Sequence, residues 1–189
     1  MAARGKARKK PVRKMTRAGG GKHKGGEFER EVCRKLSMWV SKGQNQDVFW
    51  RSAMSGGRAT VARKRGVMLN RQAGDICAVA PEGHVFTNEF YLETKHYKDL
   101  QIASFLLQDV GRLAKFWRET EAHAKAYNKA PILIAKQNFV PVLFIANYNA
   151  KWNWPAPRIK TYCGVGLWLL NDIVGEHFEM DNAKDTDHG

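Results

Sequence analysis

The alternation of two long helical segments with short apolar runs constrains the fold of this chain more than any other feature of its sequence. Apolar residues recur at helical spacing from Phe28 to Trp39 and from Ile102 to Trp117, so each set forms a stripe that a helix can bury. Runs rich in β-branched and aromatic residues lie between and after them, as is typical of strands. We predict helices near residues 26–42 and 102–127, and strands near residues 47–51, 75–80, 90–95, 131–135 and 140–146.

This order of elements, αβββαββ, predicts an α/β fold in which helices cover a central β-sheet. We expect the strands at 75–80 and 90–95 to form a hairpin, because a loop through Pro81, Glu82 and Gly83 joins them. A further short strand or helix is expected at residues 165–174. A chain of 189 residues fits one domain.

The charge of the chain favours nucleic acid as its partner. Net charge is +14. Residues 1–24 hold ten Lys or Arg and no acid, residues 176–189 hold five acids and one Lys, and the body between them carries +8. Basic surfaces bind polyphosphates by releasing counterions. A membrane partner is not expected, because no amphipathic apolar stripe accompanies the charges and no stretch approaches the roughly 20 apolar residues of a membrane span.

Location and cofactor are constrained by what the sequence lacks. The basic N-terminus has no apolar secretory region, so we expect a cytoplasmic or nucleoid-associated protein. Cys33, Cys77 and Cys163 have neither zinc-site spacing nor an even disulfide count. No small-molecule cofactor is expected.

Three residues predict a metal-dependent site. Glu93 and Lys95 share one face of a strand because side chains alternate with period two. In the expected hairpin, Asp75 lies beside Glu93. Two close carboxylates are costly without a cation, and Mg²⁺ prefers one or two such ligands with waters and phosphate. A neighbouring lysine can orient or help deprotonate an attacking water and stabilise phosphate charge.

Helix periodicity adds a fourth residue to this set. Glu29 shares a helical face with Cys33, Leu36 and Val40, which places it on the buried edge of the first helix. Glu31 instead can pair with a lysine four residues later on a solvated face. Taken alone, an aspartate followed by ExK is common by chance and often reflects ordinary ion pairing. Its combination with Glu29 favours a nuclease.

Longer motifs resemble the PD-(D/E)xK nuclease superfamily, and in particular the archaeal-type Holliday junction resolvases of the Hjc family. Lys24–Glu31 is similar to the opening KGxxxERE helix of that family, and Arg51–Gly56 to its RSAxS loop. Gly74–Ile76 and Leu92–Lys95 fall where the family has its metal-binding acids and catalytic lysine. The basic insertion at residues 57–72 departs from the family pattern.

The resemblance implies a restriction-endonuclease-like core with a central mixed β-sheet, and Mg²⁺, for which Mn²⁺ substitutes. It implies catalytic roles for Glu29, Asp75, Glu93, Lys95, Ser52 and Ser55, and metal binding by Asp75, Glu93, Glu29 and the backbone carbonyl of Thr94. The expected DNA contacts are Arg30, Arg51, Arg58, Arg63, Lys64, Arg65 and Lys98.

The resemblance also implies a homodimer that cuts four-way DNA junctions symmetrically, in recombination and repair. If the enzyme is virus- or phage-encoded, we expect it in the host cytoplasm. Candidate interface residues are Phe139, Trp152, Trp154 and Trp168, although aromatics in such a segment more often pack into a core. We expect a disordered basic arm at residues 1–24, a nuclease domain at 25–175 and an acidic flexible tail at 176–189.

Two alternatives remain open on the sequence alone. A related nuclease could act on flaps, on nicking sites or as a restriction-type enzyme, because the same fold and metal site serve many substrates. A non-catalytic nucleic-acid-binding protein could instead use the basic arm for binding and these acids for structure.

Overall fold

The computed structural model of the protein describes residues 20–52, 73–148, 154–155, 157–161 and 164–175. Residues 1–19 of the predicted arm, the whole basic insertion at residues 57–72 and the acidic tail lie outside these residues. The described elements follow one another as α1 Gly20–Val40, β1 Phe49–Arg51, β2 Ile76–Ala78, α2 Pro81–Glu89, β3 Phe90–Tyr97, α3 Ile102–Gln108, α4 Gly111–Ala126, β4 Ala130–Gln137, β5 Leu143–Asn147, β6 Ile159–Lys160, β7 Val165–Leu169 and α5 Leu170–Gly175.

A five-stranded mixed sheet in the order β3-β4-β5-β7-β6 forms the centre of the fold. β3 and β4 are parallel over eight residue pairs, and the other neighbours are antiparallel. β1 and β2 form a separate antiparallel pair. The expected α/β fold with a mixed sheet flanked by helices is confirmed.

Helices bury both faces of this sheet. The predicted stripe of α1, with Val32 and Leu36 fully buried, packs with Leu92, Ile132 and Phe144 on one face. On the other face, α3 and α4 cover the alternate residues of β4, β5 and β7. Alternation along β3 therefore sends even-numbered side chains toward α1 and odd-numbered ones toward α4. Two core layers result, as the short apolar runs predict.

The prediction of a hairpin between the second and third strands is wrong. Helix α2 lies between β2 and β3, begins with Pro81 in its first turn and buries Phe86 completely. Gly83 lets this helix approach β1 closely, since a Cβ there would lie 2.9 Å from a ring carbon of Phe49. Proline is favoured at the first helical position, so the residues that indicated a turn begin a helix. β2 pairs with β1 instead.

The second predicted helix is interrupted. Asp109 has a left-handed backbone, Val110 is extended, and Gly111 has φ of +92°. The chain therefore ends α3 and begins α4 within three residues. The stripe residues Phe105, Leu113 and Trp117 are buried as predicted, but Val110 is exposed.

The last segment contains both alternatives that the sequence left open, since β7 is followed directly by α5. Trp168 is buried and Trp154 packs against Phe90 and Phe144, so these two tryptophans belong to the core rather than to an interface. Phe139 is fully exposed, and Trp152 lies outside the described residues. Among the described helices, none has the length and apolarity to cross a membrane.

Candidate active site

The site lies at the outer edge of β3, where the chain before β2 approaches that strand. Gly74 bridges Leu92 in parallel, and the Asp75 amide donates a hydrogen bond of 2.8 Å to the Leu92 carbonyl. Gly74 has φ of +88°, and a Cβ there would lie 2.4 Å from the Leu92 oxygen. Only glycine fits both the backbone conformation and the close approach. Proline, with φ near −65°, could not occupy this position.

The Asp75 carboxylate is held by Thr94. The amide and hydroxyl of Thr94 both donate to Oδ2 of Asp75, at 2.9 and 3.1 Å. Burial and the nearby Glu93 charge raise the pKa of Asp75 to about 6, although the Thr94 amide and the Lys95 charge act in the opposite direction. The sequence correctly predicted that Asp75 and Glu93 lie close together, but a parallel approach to β3 rather than a hairpin produces the contact.

Glu93 and Lys95 share the face of β3 that α4 covers. The Lys95 ammonium donates to Oε1 of Glu93 and lies 5.4 Å from the centre of the Phe116 ring. Burial by itself would lower the pKa of Lys95, but the attraction of Glu93, with Asp75 beside it, outweighs burial and raises that pKa. Lys95 is therefore a cation at neutral pH.

Tyr91 is a member of the site that the sequence reasoning missed. Its hydroxyl donates to Oε2 of Glu93 at 3.1 Å and lies 3.4 Å from Nδ1 of His123 on α4. Burial, together with Glu93, raises the pKa of Tyr91 well above its usual value, so the phenol keeps its proton. The signal was present in the sequence, since Tyr91 precedes Glu93 by two residues on a strand.

Glu29 lies on α1 with its side chain 16% exposed and forms an ion pair with Arg51. Arg51 belongs to β1 opposite Ile76, next to Asp75, and its guanidinium lies over Gly26, where a Cβ would be 3.4 Å away. The inward position predicted for Glu29 agrees with this burial. Within the described part of the chain, however, no three acidic, histidine or cysteine side chains are close enough together to hold a metal ion, so Glu29 stands apart from the Asp75–Glu93 pair.

A sequence profile of the family described as "Phage putative PDDEXK endonuclease" matches residues 20–158. The chain belongs to this family. The match extends from the start of α1 to the region before β6 and includes every residue of the site at β3. No curated protein and no solved structure matches the chain. Membership of this PDDEXK family supports a nuclease hydrolase with DNA as its substrate.

The remaining residues expected in the PDDEXK site are placed unevenly. Ser52 is buried, and its amide donates to the Asp75 carbonyl at 2.8 Å. Arg30 and Lys98 are exposed. Thr94 enters the site through its amide and hydroxyl, and metal binding by its carbonyl stays a prediction. The residues that lie outside the described part of the chain are Ser55, Arg58, Arg63, Lys64 and Arg65.

The donor chemistry of this PDDEXK site fits a divalent cation such as Mg²⁺. Asp75 and Glu93 are two carboxylates near one strand edge, and the charge of Glu93 raises the cost of ionising Asp75. A small hard cation prefers one or two protein carboxylates and takes its other ligands from water and phosphate. Lys95 offsets part of the negative charge of Glu93 but leaves Asp75 with a raised pKa.

Proposed function

We propose that this chain is a DNA endonuclease that hydrolyses phosphodiester bonds with Mg²⁺, or with Mn²⁺ in its place, held by Asp75 and Glu93. The observation that supports this proposal most strongly is the meeting of two carboxylates and one lysine at the edge of β3. The raised pKa of Asp75 agrees with a carboxylate whose ionisation beside Glu93 is costly and would be favoured by a bound cation.

When bound, the cation would polarise the scissile phosphate and lower the pKa of a water ligand. Lys95, a cation at neutral pH, orients the attacking water and stabilises the negative charge that develops on the phosphate. Its raised pKa makes it poorly suited to accept a proton from that water. Thr94 fixes the Asp75 carboxylate by two hydrogen bonds.

Arg51 and Glu29 extend the proposed site toward the DNA. Arg51 balances the charge of Glu29 and keeps part of its guanidinium at the surface, where it can reach a phosphate. If a DNA phosphate binds Arg51, the ion pair between Arg51 and Glu29 breaks, and the Glu29 carboxylate becomes available to the cation. Arg30, Lys98 and the basic insertion at residues 57–72 would add contacts to the DNA backbone. Ser55, rather than the buried Ser52, would contact the scissile phosphate.

The finer proposal is that the substrate is a four-way junction, resolved by a symmetric homodimer. The similarity of Lys24–Glu31 and Arg51–Gly56 to junction-resolvase motifs supports it. Fold and metal site are shared among nucleases with different substrates, so substrate choice depends on the dimer and its DNA surface. A DNA substrate would place the enzyme in the cytoplasm or at the nucleoid, in a host cell if it is phage-encoded.

The test compares cleavage of a four-way junction, a flap, a nicked duplex and a linear duplex in Mg²⁺. We expect paired, symmetric cuts in the junction by the wild type. Asp75→Asn and Glu93→Gln should lose at least about 100-fold in cleavage rate, because each removes a charged ligand of the cation, and should still bind the junction in a gel shift. Glu119→Gln removes a carboxylate from a surface pair on α4 and should cleave as the wild type does.

Three outcomes separate the proposals. Equal cutting of the linear duplex and the junction would reject the junction proposal and keep the nuclease. Undiminished cleavage by Asp75→Asn would reject this site. Binding of DNA without cleavage under all these conditions would favour the non-catalytic alternative.

A further inference from the structure

A buried tyrosine contacts the carboxylate that the proposed function assigns to the cation. Tyr91 and Glu93 lie two residues apart, so both side chains lie on the face of β3 that α4 covers. The Tyr91 hydroxyl donates to Oε2 of Glu93 at 3.1 Å, while Lys95 donates to Oε1. Both oxygens of Glu93 therefore accept hydrogen bonds from side chains of its own strand.

The Tyr91 hydroxyl is itself held by α4. Its oxygen lies 3.4 Å from Nδ1 of His123, and its ring stacks on Tyr127 with the centroids 5.9 Å apart. A tyrosine hydroxyl has one hydrogen, and here Glu93 receives it. The oxygen can then accept a hydrogen bond from Nδ1 of His123 when that nitrogen carries a hydrogen, as it does in the Nδ1–H tautomer and in the imidazolium. A chain of hydrogen bonds thus connects α4 to Glu93.

We propose that Tyr91, supported by His123, is a positioning residue that orients the Glu93 carboxylate for binding a divalent cation together with Asp75. The inference rests on the proposed function, which assigns the cation to these two acids. The terminal torsion of a glutamate is broad and roughly two-fold, so without the tyrosine only the hydrogen bond from Lys95 orders this carboxylate before the cation binds. Partners of metal ligands typically change metal affinity or activity by about 10- to 100-fold.

Tyr91→Phe tests this role because it removes the hydroxyl and keeps the ring that stacks on Tyr127. Mn²⁺ binding is measured directly from the electron paramagnetic resonance signal of free Mn²⁺, without DNA. We expect the dissociation constant to rise by about tenfold or more. In cleavage assays, the Mg²⁺ concentration for half-maximal rate should rise by a similar factor. The KM for DNA at saturating Mg²⁺ should stay unchanged, because Tyr91 is buried.

Two further variants separate positioning from packing. Tyr127→Phe removes a hydroxyl from the other ring of the same stack and should bind Mn²⁺ as the wild type does. His123→Ala should weaken Mn²⁺ binding by less than Tyr91→Phe. The double variant should resemble Tyr91→Phe alone, because His123 acts through the tyrosine hydroxyl. If Tyr91→Phe does not fold, as judged by circular dichroism, His123→Ala still carries the test.

The outcomes keep the two proposals apart. Wild-type Mn²⁺ affinity in Tyr91→Phe and His123→Ala, with binding lost in Asp75→Asn, overturns the positioning role and leaves the proposed function standing. An equal loss in Tyr91→Phe and Tyr127→Phe also overturns it, since packing would then be the cause. Full Mn²⁺ binding by both Asp75→Asn and Glu93→Gln overturns the proposed function and this inference together.

Discussion

At the scale of single residues, Asp75 has an electrostatic cost that the fold does not remove. Its carboxyl is buried beside Glu93, and its pKa rises from an ordinary 3.8 to about 6. The folded state therefore binds a proton more tightly than the unfolded chain does. The contribution of the protonated Asp75 carboxyl to the free energy of unfolding is fully present below pH 4. It is lost as the pH rises through about 6. Above that pH, the ionised carboxylate destabilises the fold by on the order of 1 to 3 kcal/mol.

We predict that Asp75→Asn raises the Tm of the protein at pH 7.5 without added metal, by several degrees. The amide cannot ionise, and its oxygen can still accept the hydrogen bonds of Thr94. This increase in Tm should shrink as the pH falls to 4, where Asp75 in the wild type is protonated.

Added Mg²⁺ should raise the Tm of the wild type, because a ligand that binds only the folded state stabilises it. It should not raise the Tm of Asp75→Asn. Scanning calorimetry at three pH values measures both effects. A Tm difference that is the same at pH 4 and pH 7.5 contradicts the electrostatic cause.

The residues of the site differed in how far the sequence could predict them. Period-two alternation is a local property, and it placed Glu93 and Lys95 on one face as observed. Helix periodicity likewise predicted the inward position of Glu29. The ion pair between Glu29 and Arg51 joins residues 22 positions apart, and no local pattern reports such a contact. The role of Tyr91 was missed because an aromatic residue on a strand is most often part of the core.

At the scale of elements, the pairing of strands was harder to predict than their existence. Short apolar runs indicate strands but carry no information about which strand pairs with which. The β2–β3 hairpin was excluded by α2, a nine-residue helix that forms where a turn was expected, and β2 pairs with β1 instead. β3 and β4 pair in parallel, with the helices α3 and α4 between them in the chain. The break between α3 and α4 was hidden for a related reason. Apolar residues on both sides of Asp109 continue one helical stripe. The spacing of apolar residues does not indicate that a non-glycine residue such as Asp109 adopts a left-handed backbone.

Gly74 joins the chain before β2 to β3, and we predict that Gly74→Ala separates them. The new Cβ would lie 2.4 Å from the Leu92 oxygen, so the backbone must move and carry Asp75 away from Thr94. Gly43 is a matched control, because it has a similar φ of +83° with nothing within 4 Å of the added atom. Both variants strain the backbone by about 1 to 3 kcal/mol, and only Gly74→Ala adds the collision.

Urea unfolding and Mn²⁺ binding measure the difference between the two glycine variants. Gly74→Ala should lose more stability than Gly43→Ala and should bind Mn²⁺ at least tenfold more weakly. Gly43→Ala should keep wild-type Mn²⁺ affinity. Equal losses of stability together with unchanged Mn²⁺ binding in both variants would show that the close approach of Gly74 to Leu92 does not position Asp75.

At the scale of the whole molecule, the distribution of charge predicts how the protein binds DNA. Residues 1–19 hold eight Lys or Arg and no acid, and removing them leaves α1 whole. Each phosphate contact that is lost should lower the slope of log K against log salt by about 0.9, so the deletion can flatten this slope by at most about 7. We expect weaker DNA binding at low salt, an unchanged preference among DNA structures and an unchanged Mn²⁺ affinity.

A variant with these eight residues replaced by glutamine separates the effect of charge from the effect of chain length and should behave as the deletion does. Fluorescence anisotropy at several salt concentrations measures the slope, and an unchanged slope in both variants would mean that residues 1–19 do not contact the phosphates.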